Sequence, residues 1–201
     1  MGKMFMALFL ASALIGCSDD VVDNGTQVEQ SQVEQVAIQE PQELPTVTMT
    51  IAGYGDLVIE LYPDIAPISV ENFMTLVDSG FYDGLTFHRI IQGFMIQGGD
   101  PLGTGMGGSE DKIVGEFASN GIENNLKHTT GVLSMARSSD KNSASSQFFI
   151  MSADAPHLDG DYAAFGKVIS GLEIVDELEK VATGSNDKPV EDVVIEKVVI
   201  N

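Results

Sequence analysis

Phe87–Asp100 reads FHRIIQGFMIQGGD and decides most of what this chain can be. Two short apolar runs, Leu85–Ile91 and Phe94–Gln97, are separated by a glycine turn, which is typical of two paired β-strands. Alternating residues of a strand face opposite sides, so Arg89 and Gln97 would be polar groups on otherwise apolar strands. A permanent cation and an amide among large apolar residues indicate a binding site.

Taken singly, these residues have simpler explanations. Arg89 could be the ion-pair partner of a carboxylate in an acidic protein, and for the residue alone that explanation is favoured. Large apolar side chains are likewise more often core than pocket. The side chains concerned are Phe94, Met95, Phe149 and Phe165. Motifs elsewhere in the chain reverse both interpretations.

Further motifs follow in a fixed order: Ala66-Pro67, Glu71-Asn72-Phe73, Gly131–Arg137, Ser146–Ile150, Leu158-Asp159-Gly160 and Phe165–Val168. Together with Phe87–Asp100 they closely resemble the cyclophilins, which are peptidyl-prolyl cis-trans isomerases. The resemblance covers about Thr46 to Asn201. It implies a mainly β fold, a closed eight-stranded antiparallel β-barrel capped by two α-helices.

The residue patterns favour the same architecture. Val47–Ile51 and Leu57–Leu61 flank a glycine-containing turn and are predicted to form a hairpin. A helix is predicted from Pro67, which suits a first helical turn, until Gly80, and a second over Leu172–Val181. Further strands are predicted over Gly131–Ala136, Gln147–Met151, Ala163–Ile169 and Val193–Ile200.

The resemblance also implies a proline-binding groove and roles for its residues. The expected catalytic residues are Arg89, Gln97 and Phe94. The expected substrate-binding residues are Met95, Ala136, Arg137, Gln147, Phe149, His157, Leu158, Tyr162 and Phe165. Arg89 would donate to the prolyl nitrogen as the bond twists, while Gln97 would bind the substrate backbone and help to orient Arg89. No cofactor and no metal are needed.

Four positions depart from the pattern of the family. Gln92 stands where proline is usual, which should change the rigidity of the turn more than the chemistry. His157 replaces a tryptophan found in many eukaryotic members and Tyr162 replaces a groove histidine, which implies weak cyclosporin binding and retained activity. Arg137 stands where asparagine is common, but its expected contact with substrate is made by the backbone.

Other functions are disfavoured by particular residues. Gly103–Gly108 fits the Gly-x-Gly-x-x-Gly pattern of dinucleotide sites, but no helix-like segment opens at these glycines, so a surface loop is predicted. The three histidines lack metal-ligand spacing, and a single cysteine leaves no zinc set. The serines 134, 145 and 146 have no credible pairing with a histidine and an acid, so hydrolysis is a poor interpretation.

The charge of the chain excludes a nucleic-acid partner. The formal net charge is −20, and a polyanion would be repelled by so acidic a surface. Thr46–Asn201 alone carries 23 acidic and nine basic residues, so acidity is a property of the folded part too. Solubility and a salt-adapted habitat remain alternative reasons for it.

The N-terminus has the layout of an exported lipoprotein. Residues 1–16 carry Lys3 and then an apolar run, as a secretory signal does, and are too short for a membrane span. Leu14-Ile15-Gly16-Cys17 resembles a lipobox, in which Cys17 becomes the lipid-bearing first residue. The alternative is an ordinary cleaved signal with a chance cysteine. Ser18 lacks the aspartate linked to inner-membrane retention in some Gram-negative bacteria, which favours the outer membrane.

Residues 17–45 are predicted to be a flexible acidic tether ahead of the isomerase domain at 46–201. Ser18–Pro45 contains seven acidic residues, six glutamines and no Lys, Arg or aromatic residue, a composition that buries too little surface to order the chain. A flexible segment of this length would span about 30 Å. A short amphipathic helix around Val28, Val33 and Val36 is the alternative.

The predicted protein is therefore a monomeric, lipid-anchored prolyl isomerase that faces the periplasm. Its partners would be X-Pro-containing unfolded or folding polypeptides, and the membrane through the lipid on Cys17. A non-catalytic proline-peptide binding module or chaperone of the same fold remains the alternative. Arg89 and Gln97 favour the enzyme, because a binder needs the pocket and not the cation.

Overall fold

The computed structural model describes residues 43–201. The predicted signal peptide at 1–16, the lipidation site Cys17 and residues 17–42 of the tether, with its alternative helix, lie outside the described residues. Residues 43–45 have no regular secondary structure and lead into the first strand.

The described residues form eight β-strands and two α-helices. The strands are β1 Thr46–Ile51, β2 Gly55–Leu61, β3 Arg89–Ile91, β4 Met95–Gly98, β5 Val132–Met135, β6 Phe148–Met151, β7 Ala164–Ser170 and β8 Ile195–Ile200. The helices are α1 Pro67–Asp78 and α2 Leu172–Leu178. Short 3-10 turns occur at Ala118–Asn120 and Pro156–Leu158, and a further tight turn with left-handed backbone occurs at Ser185–Asp187. The sequence did not predict them.

All eight strands belong to one antiparallel sheet with the order β3-β4-β6-β5-β7-β2-β1-β8. The sheet curls, and its two ends approach each other where a single bridge joins Thr86 to Val194, just before β3 and β8. Main-chain bonds such as that from Ile195 N to Leu85 O reinforce this junction. The predicted eight-stranded β fold is confirmed, but closure was overstated, because one bridge rather than a continuous ladder joins the edges.

The apolar residues form two separate clusters. The main core fills the inside of the barrel and includes Phe73 of α1, Phe148 and Phe165. A smaller cluster lies on the other side of strands β4, β5, β6 and β7. Its buried members are Met95, Val132, Phe149, Met151, Ala155, Leu158 and Ala164. Because side chains alternate along these strands, each strand contributes residues to both clusters. The smaller cluster forms the floor of the candidate site.

Helix α1 forms as predicted, with Val70, Phe73 and Val77 buried on one face. Its N-cap residue makes no side-chain cap bond. The carboxylate of Glu116, itself buried, accepts hydrogen bonds from Ile68 N at 2.9 Å and Ser69 N at 2.8 Å. A carboxylate distant in sequence thus satisfies the free N–H groups of the first helical turn and ties the loop around Glu116 to helix α1.

Helix α2 buries Ile174, Val175 and Leu178, as its spacing predicts. It ends at Leu178 rather than at the predicted Val181, because the chain closes there in a turn in which Val181 N donates to Leu178 O. Within residues 43–201, neither helix is long and apolar enough to cross a membrane.

Candidate active site

A row of side chains crosses the sheet on the face turned away from the main core. The ladders place Arg89 opposite Gln97, Gln97 opposite Phe149, and Phe149 opposite Ser134. Residues directly opposite each other share one face of a sheet, so the four side chains point the same way. Ile96, next to Gln97 in sequence, is fully buried in the main core. Strand alternation thus brings the cation and the amide together.

An open cleft of about 200 Å³ lies above this row. Its lining residues are Arg89, Phe94, Met95, Gln97, Ala136, Arg137, Phe149, Leu158 and Tyr162. All three expected catalytic residues and six of the nine expected substrate-binding residues meet here. The turn before β4 and the loops after β5 and β6 complete the walls, while the strands form the floor.

Two of the three remaining predicted residues lie beside the cleft. Gln147 lines an adjoining second cleft that shares Gln97, Ala136 and Arg137 with the first. His157 is exposed and stacks on Phe94, with ring centroids 5.7 Å apart. It therefore supports one wall rather than lining the cavity.

Phe165 does not line the cleft, and its expected contact with substrate is wrong. The side chain is fully buried in the main core, 5.4 Å from the ring of Phe73. Its neighbour Ala164 belongs instead to the small cluster beneath the cleft. Adjacent residues of a strand point to opposite faces, so only one of the two can reach the site.

Arg89 forms an ion pair at the edge of the cleft. Its Nε donates to Oδ2 of Asp187 over 3.2 Å, and the two side chains are 43% and 45% exposed. Arg89 is therefore both an ion-pair partner, as the simpler explanation expected, and a lining residue of the cleft. The partner carboxylate was not predicted, because Asp187 lies 98 residues further along the chain.

Gln97 does not orient Arg89 as expected. Its Nε2 donates to Oε1 of Gln147 over 2.8 Å. Gln147 in turn donates to Gly105 O at 3.1 Å and Gly107 O at 2.7 Å. These amide contacts fix Gln97 to the loop of residues 103–108, called the glycine loop below, and leave the carbonyl oxygen of Gln97 for a ligand.

The glycine loop is folded around Asp100. The carboxylate of this residue accepts N–H bonds from Leu102, Thr104 and Gly105 over 2.6–2.9 Å. Burial raises the pKa of Asp100, but the backbone N–H donors outweigh it and lower the pKa below its ordinary value. No helix begins at residues 103–108 or directly after them, in agreement with the predicted surface loop.

Arg137 has its side chain fixed against the protein. The guanidinium lies 4.5 Å from the ring centroid of Tyr162 and 5.2 Å from that of Phe117. It donates to the carbonyl oxygens of Asp161 and Ser138. The side chain therefore braces the rim between the two clefts, and the expected substrate contact is left to its backbone.

Ser134, His128 and Asp159 form a buried relay that the sequence interpretation missed. His128 Nε2 lies 3.0 Å from Ser134 Oγ, and Nδ1 lies 3.1 Å from Asp159 Oδ1. The prediction that this serine has no His-acid pairing is wrong, because Asp159 lies 31 residues away and is brought in by the fold. Ser134 is fully buried and His128 almost so, and no peptide can reach the hydroxyl.

The relay supports the floor of the cleft instead. Burial lowers the pKa of His128, more than Asp159 raises it, so the ring is neutral at pH 7. Burial raises the pKa of Asp159, but hydrogen bonds from His128 outweigh burial and lower it, so the ionised carboxylate accepts a hydrogen bond from Nδ1–H. Nε2 is then free to accept from Ser134. The His128 ring stacks on Phe149, with centroids 6.1 Å apart, and holds it in place.

His88 lies away from the cleft, as the alternation predicts. It is buried beneath the glycine loop, and neither ring nitrogen has a hydrogen-bonding partner among residues 43–201. Burial is the main cause that lowers the pKa of His88, with Asp100 acting in the opposite direction. In the same part of the chain, no cluster of His, Cys, Asp and Glu has the arrangement of a metal site.

The two buried histidines predict a loss of stability on mild acidification. Unfolding returns each pKa to about its ordinary value of 6.5, so the unfolded chain binds more protons below that pH. We expect the free energy of unfolding to stay nearly constant from pH 7.5 to about 6.5 and then to fall towards pH 5, by at most about 1.4 kcal/mol per pH unit for each histidine. Urea unfolding across this range measures it.

A pair of variants controls that experiment. His88→Leu should make the free energy of unfolding less dependent on pH, because one buried titrating group is removed. Val190→Ala should leave that dependence unchanged, because this exposed side chain carries no titratable group. Equal slopes for the wild-type protein and His88→Leu would contradict the assignment.

The cleft combines an apolar floor, a cationic donor and an amide, and the serine beneath it is sealed off. Such a site can bind an apolar ring and hydrogen-bond the backbone around it without covalent chemistry. A half-barrel of eight antiparallel strands with this cleft on its outer face defines a peptide-binding isomerase of the cyclophilin class. Comparison with known proteins identifies the family.

The family described as "Cyclophilin type peptidyl-prolyl cis-trans isomerase/CLD" matches residues 46–200. The chain belongs to this family, and it is a peptidyl-prolyl cis-trans isomerase. The isomerase CYP18-1 of Arabidopsis thaliana is 49% identical over 148 residues, which cover 73% of this chain and 91% of that protein. The isomerase ppi1 of Schizosaccharomyces pombe is 47% identical over 146 residues, which cover 72% and 92%.

A solved structure supports the same assignment. The cyclophilin-type isomerase of Cryptosporidium parvum, crystallised in the presence of the dipeptide Ala-Pro, is 38% identical. It superposes with a TM-score of 0.71 and covers 78% of this chain and 98% of that one.

Proposed function

We propose that this isomerase accelerates rotation about X-Pro bonds with Arg89 as the catalytic donor, and that its substrates are exported polypeptides during folding. The observation that carries the assignment is the position of Arg89 at the edge of an apolar cleft, opposite Gln97 in the sheet. We further propose that the protein works as a monomer.

The barrier to be lowered arises from conjugation in the peptide bond. Rotation costs about 18–20 kcal/mol because the nitrogen lone pair is delocalised into the carbonyl group. X-Pro bonds populate both isomers and exchange over tens to hundreds of seconds unaided. Twisting localises the lone pair on the prolyl nitrogen, where a fixed N–H donor can bind it. Arg89 would bind the twisted state better than the planar one, which is the requirement for catalysis.

The remaining residues would hold the substrate. Phe94, Met95, Phe149 and Leu158 offer an apolar surface for the proline ring, and a water-poor site disfavours the charge-separated planar amide. The carbonyl oxygen of Gln97 can accept from the substrate backbone, next to the main chain of Ala136 and Arg137. Tyr162 would form part of the cleft wall, while Gln147 and the ring of His157 would act through their contacts with Gln97 and Phe94.

Turnover of an X-Pro peptide by the wild-type protein and by its Arg89→Ala variant tests the proposal. An isomerase that uses Arg89 loses turnover in the variant and keeps its affinity for the peptide within a few fold. A binding module would show equal and negligible rate enhancement for both proteins.

We also propose that the protein is a lipoprotein of the bacterial cell envelope, anchored through Cys17 and facing the periplasm, with the outer membrane preferred. The lipobox-like Leu14–Cys17 after an apolar run supports this, as does the acidic segment that follows it. Acyl chains on one residue contribute about 0.8 kcal/mol per buried methylene, and two or more chains give stable anchoring. The tether would let the domain reach clients about 30 Å from the membrane.

Replacing Cys17 with serine should release the protein from the membrane. The thiol is the acceptor of the lipid, so the variant should lose incorporation of labelled palmitate in a bacterial host and should leave the membrane fraction. Substitution of the neighbouring Ser18 by alanine serves as the matched control and should change neither. Labelling that persists in Cys17→Ser would contradict lipidation at this residue.

A further inference from the structure

The turn that carries Asp187 is built in an unusual way. Asn186 and Asp187 have φ values of 60° and 59°, and among residues 43–201 they are the two non-glycine residues with a left-handed backbone. Lys188 N donates back to Ser185 O over 3.4 Å. Two successive left-handed residues at the centre of such a turn are typical of type I′ turns.

Two main-chain contacts close the base of this turn. Gly184 N donates to Lys188 O over 2.7 Å, and an isolated bridge pairs Thr183 with Pro189. The turn is therefore a short, fixed hairpin rather than a loose loop. Its tip is placed against β3, where Asp187 meets Arg89.

Left-handed backbone at non-glycine residues costs free energy and persists where the surroundings require it. Here the two such residues sit at the tip that contacts the expected catalytic side chain. An ion pair between half-exposed groups stabilises a fold very little, so folding stability does not account for the arrangement. Asn and Asp tolerate this backbone better than other non-glycine residues, and the turn places the Asp187 carboxylate at the guanidinium.

The direction of the contact matters for the chemistry. Asp187 accepts from Nε, which lies on the stem side of the guanidinium. Both terminal NH₂ groups have no hydrogen-bond partner among residues 43–201 and remain available to a ligand in the cleft. A guanidinium held at Nε has already lost conformational entropy before substrate binds. Less conformational entropy is then lost on reaching the transition state, which lowers the barrier.

We infer that Asp187 is a positioning residue: it holds Arg89 through Nε so that the terminal amino groups face the twisting X-Pro bond. We draw this on the basis of the role proposed for Arg89, and Asp187 itself does not touch the substrate. The same contact could instead inhibit the enzyme, and this alternative predicts the opposite result. A carboxylate that competed with substrate for the guanidinium would slow the enzyme, and its removal would speed turnover.

The test compares Asp187→Gly and Asp187→Asn in the full-length protein. Glycine accepts the left-handed backbone without strain and removes the acceptor, while asparagine tolerates that backbone and keeps an acceptor oxygen. We expect Asp187→Gly to lower kcat by about fivefold to tenfold with little change in KM, and Asp187→Asn to recover most of it. Asp192→Gly, which removes an exposed carboxylate five residues away, serves as the control and should leave kcat unchanged.

A spectroscopic readout separates positioning from a general effect on the loop. The Nε–H resonance of Arg89 in a ¹H–¹⁵N spectrum should be protected from exchange with water in the wild-type protein and in Asp187→Asn, and lost in Asp187→Gly. Unchanged or faster turnover in Asp187→Gly would overturn the inference. So would a slower Asp187→Gly that retains the protected resonance.

Combination with Arg89→Ala distinguishes this inference from the proposed function. In that background Asp187→Gly should cause no further loss, because the side chain that it positions is gone. If Arg89→Ala alone keeps full turnover, the proposed function fails. If Arg89→Ala loses turnover and Asp187→Gly does not, the positioning role alone fails.

Discussion

Replacing Arg89 with alanine is expected to lower kcat/KM for an X-Pro peptide by about 10²–10³, which corresponds to about 3–4 kcal/mol of transition-state stabilisation. The loss should appear in kcat, because the donor is proposed to bind the twisted bond and not the planar one. The fold should persist, since the side chain is 43% exposed and its ion pair with Asp187 contributes little to stability. A coupled or NMR-based isomerisation assay measures the effect.

Arg89→Lys provides the matched comparison. Lysine keeps the charge but loses the planar arrangement of donors and the Nε–H that Asp187 accepts, so it should recover only a small part of the activity. Full activity in Arg89→Lys would mean that charge alone matters and that the geometry of the guanidinium does not. Full activity in Arg89→Ala would remove the catalytic role altogether.

Replacing Phe149 with alanine is expected to weaken binding of proline peptides by about tenfold or more, seen as a higher KM. The ring lies opposite Gln97, packs edge-on against Tyr162 at 5.8 Å and stacks on His128. Its removal deletes the apolar floor that the proline ring would cover. The same substitution should cost about 3–5 kcal/mol of folding stability, because the side chain is only 6% exposed.

Two further variants keep that result interpretable. Phe149→Leu retains apolar volume without the ring and should show smaller losses of affinity and stability. Val190→Ala removes an apolar side chain that is 70% exposed and outside the cleft, and it should bind peptides normally. Normal binding by folded Phe149→Ala would show that the proline pocket lies elsewhere.

The parts of the site that could be predicted from sequence depend on local periodicity and on the family resemblance. Strand alternation places Arg89 and Gln97 on one face, and the ladder pairs them directly. The glycine loop was predicted correctly because no helix pattern follows it. Helix α1 was predicted because a proline start, a spaced apolar face and a glycine stop coincide within one short segment.

The parts that could not be predicted depend on contacts between distant segments. Glu116 caps a helix that begins 49 residues earlier in the chain, and no local pattern marks a buried carboxylate as a cap. The Ser134–His128–Asp159 relay and the Arg89–Asp187 pair likewise join segments that only the fold brings together. Phe165 was misplaced for a different reason, since the motif identifies the strand but not which of its residues faces the cleft.

The central claim is that one guanidinium beside an apolar cleft lowers the barrier to X-Pro rotation. Exchange NMR on a peptide with resolved cis and trans prolyl signals tests it most directly, with a small fraction of full-length protein added. We predict that the wild-type protein brings cis-trans exchange into the range of many events per second, while Arg89→Ala leaves it at least about a hundredfold slower. Exchange no faster with the wild-type protein than in buffer alone, from a sample shown to be folded, would contradict the account.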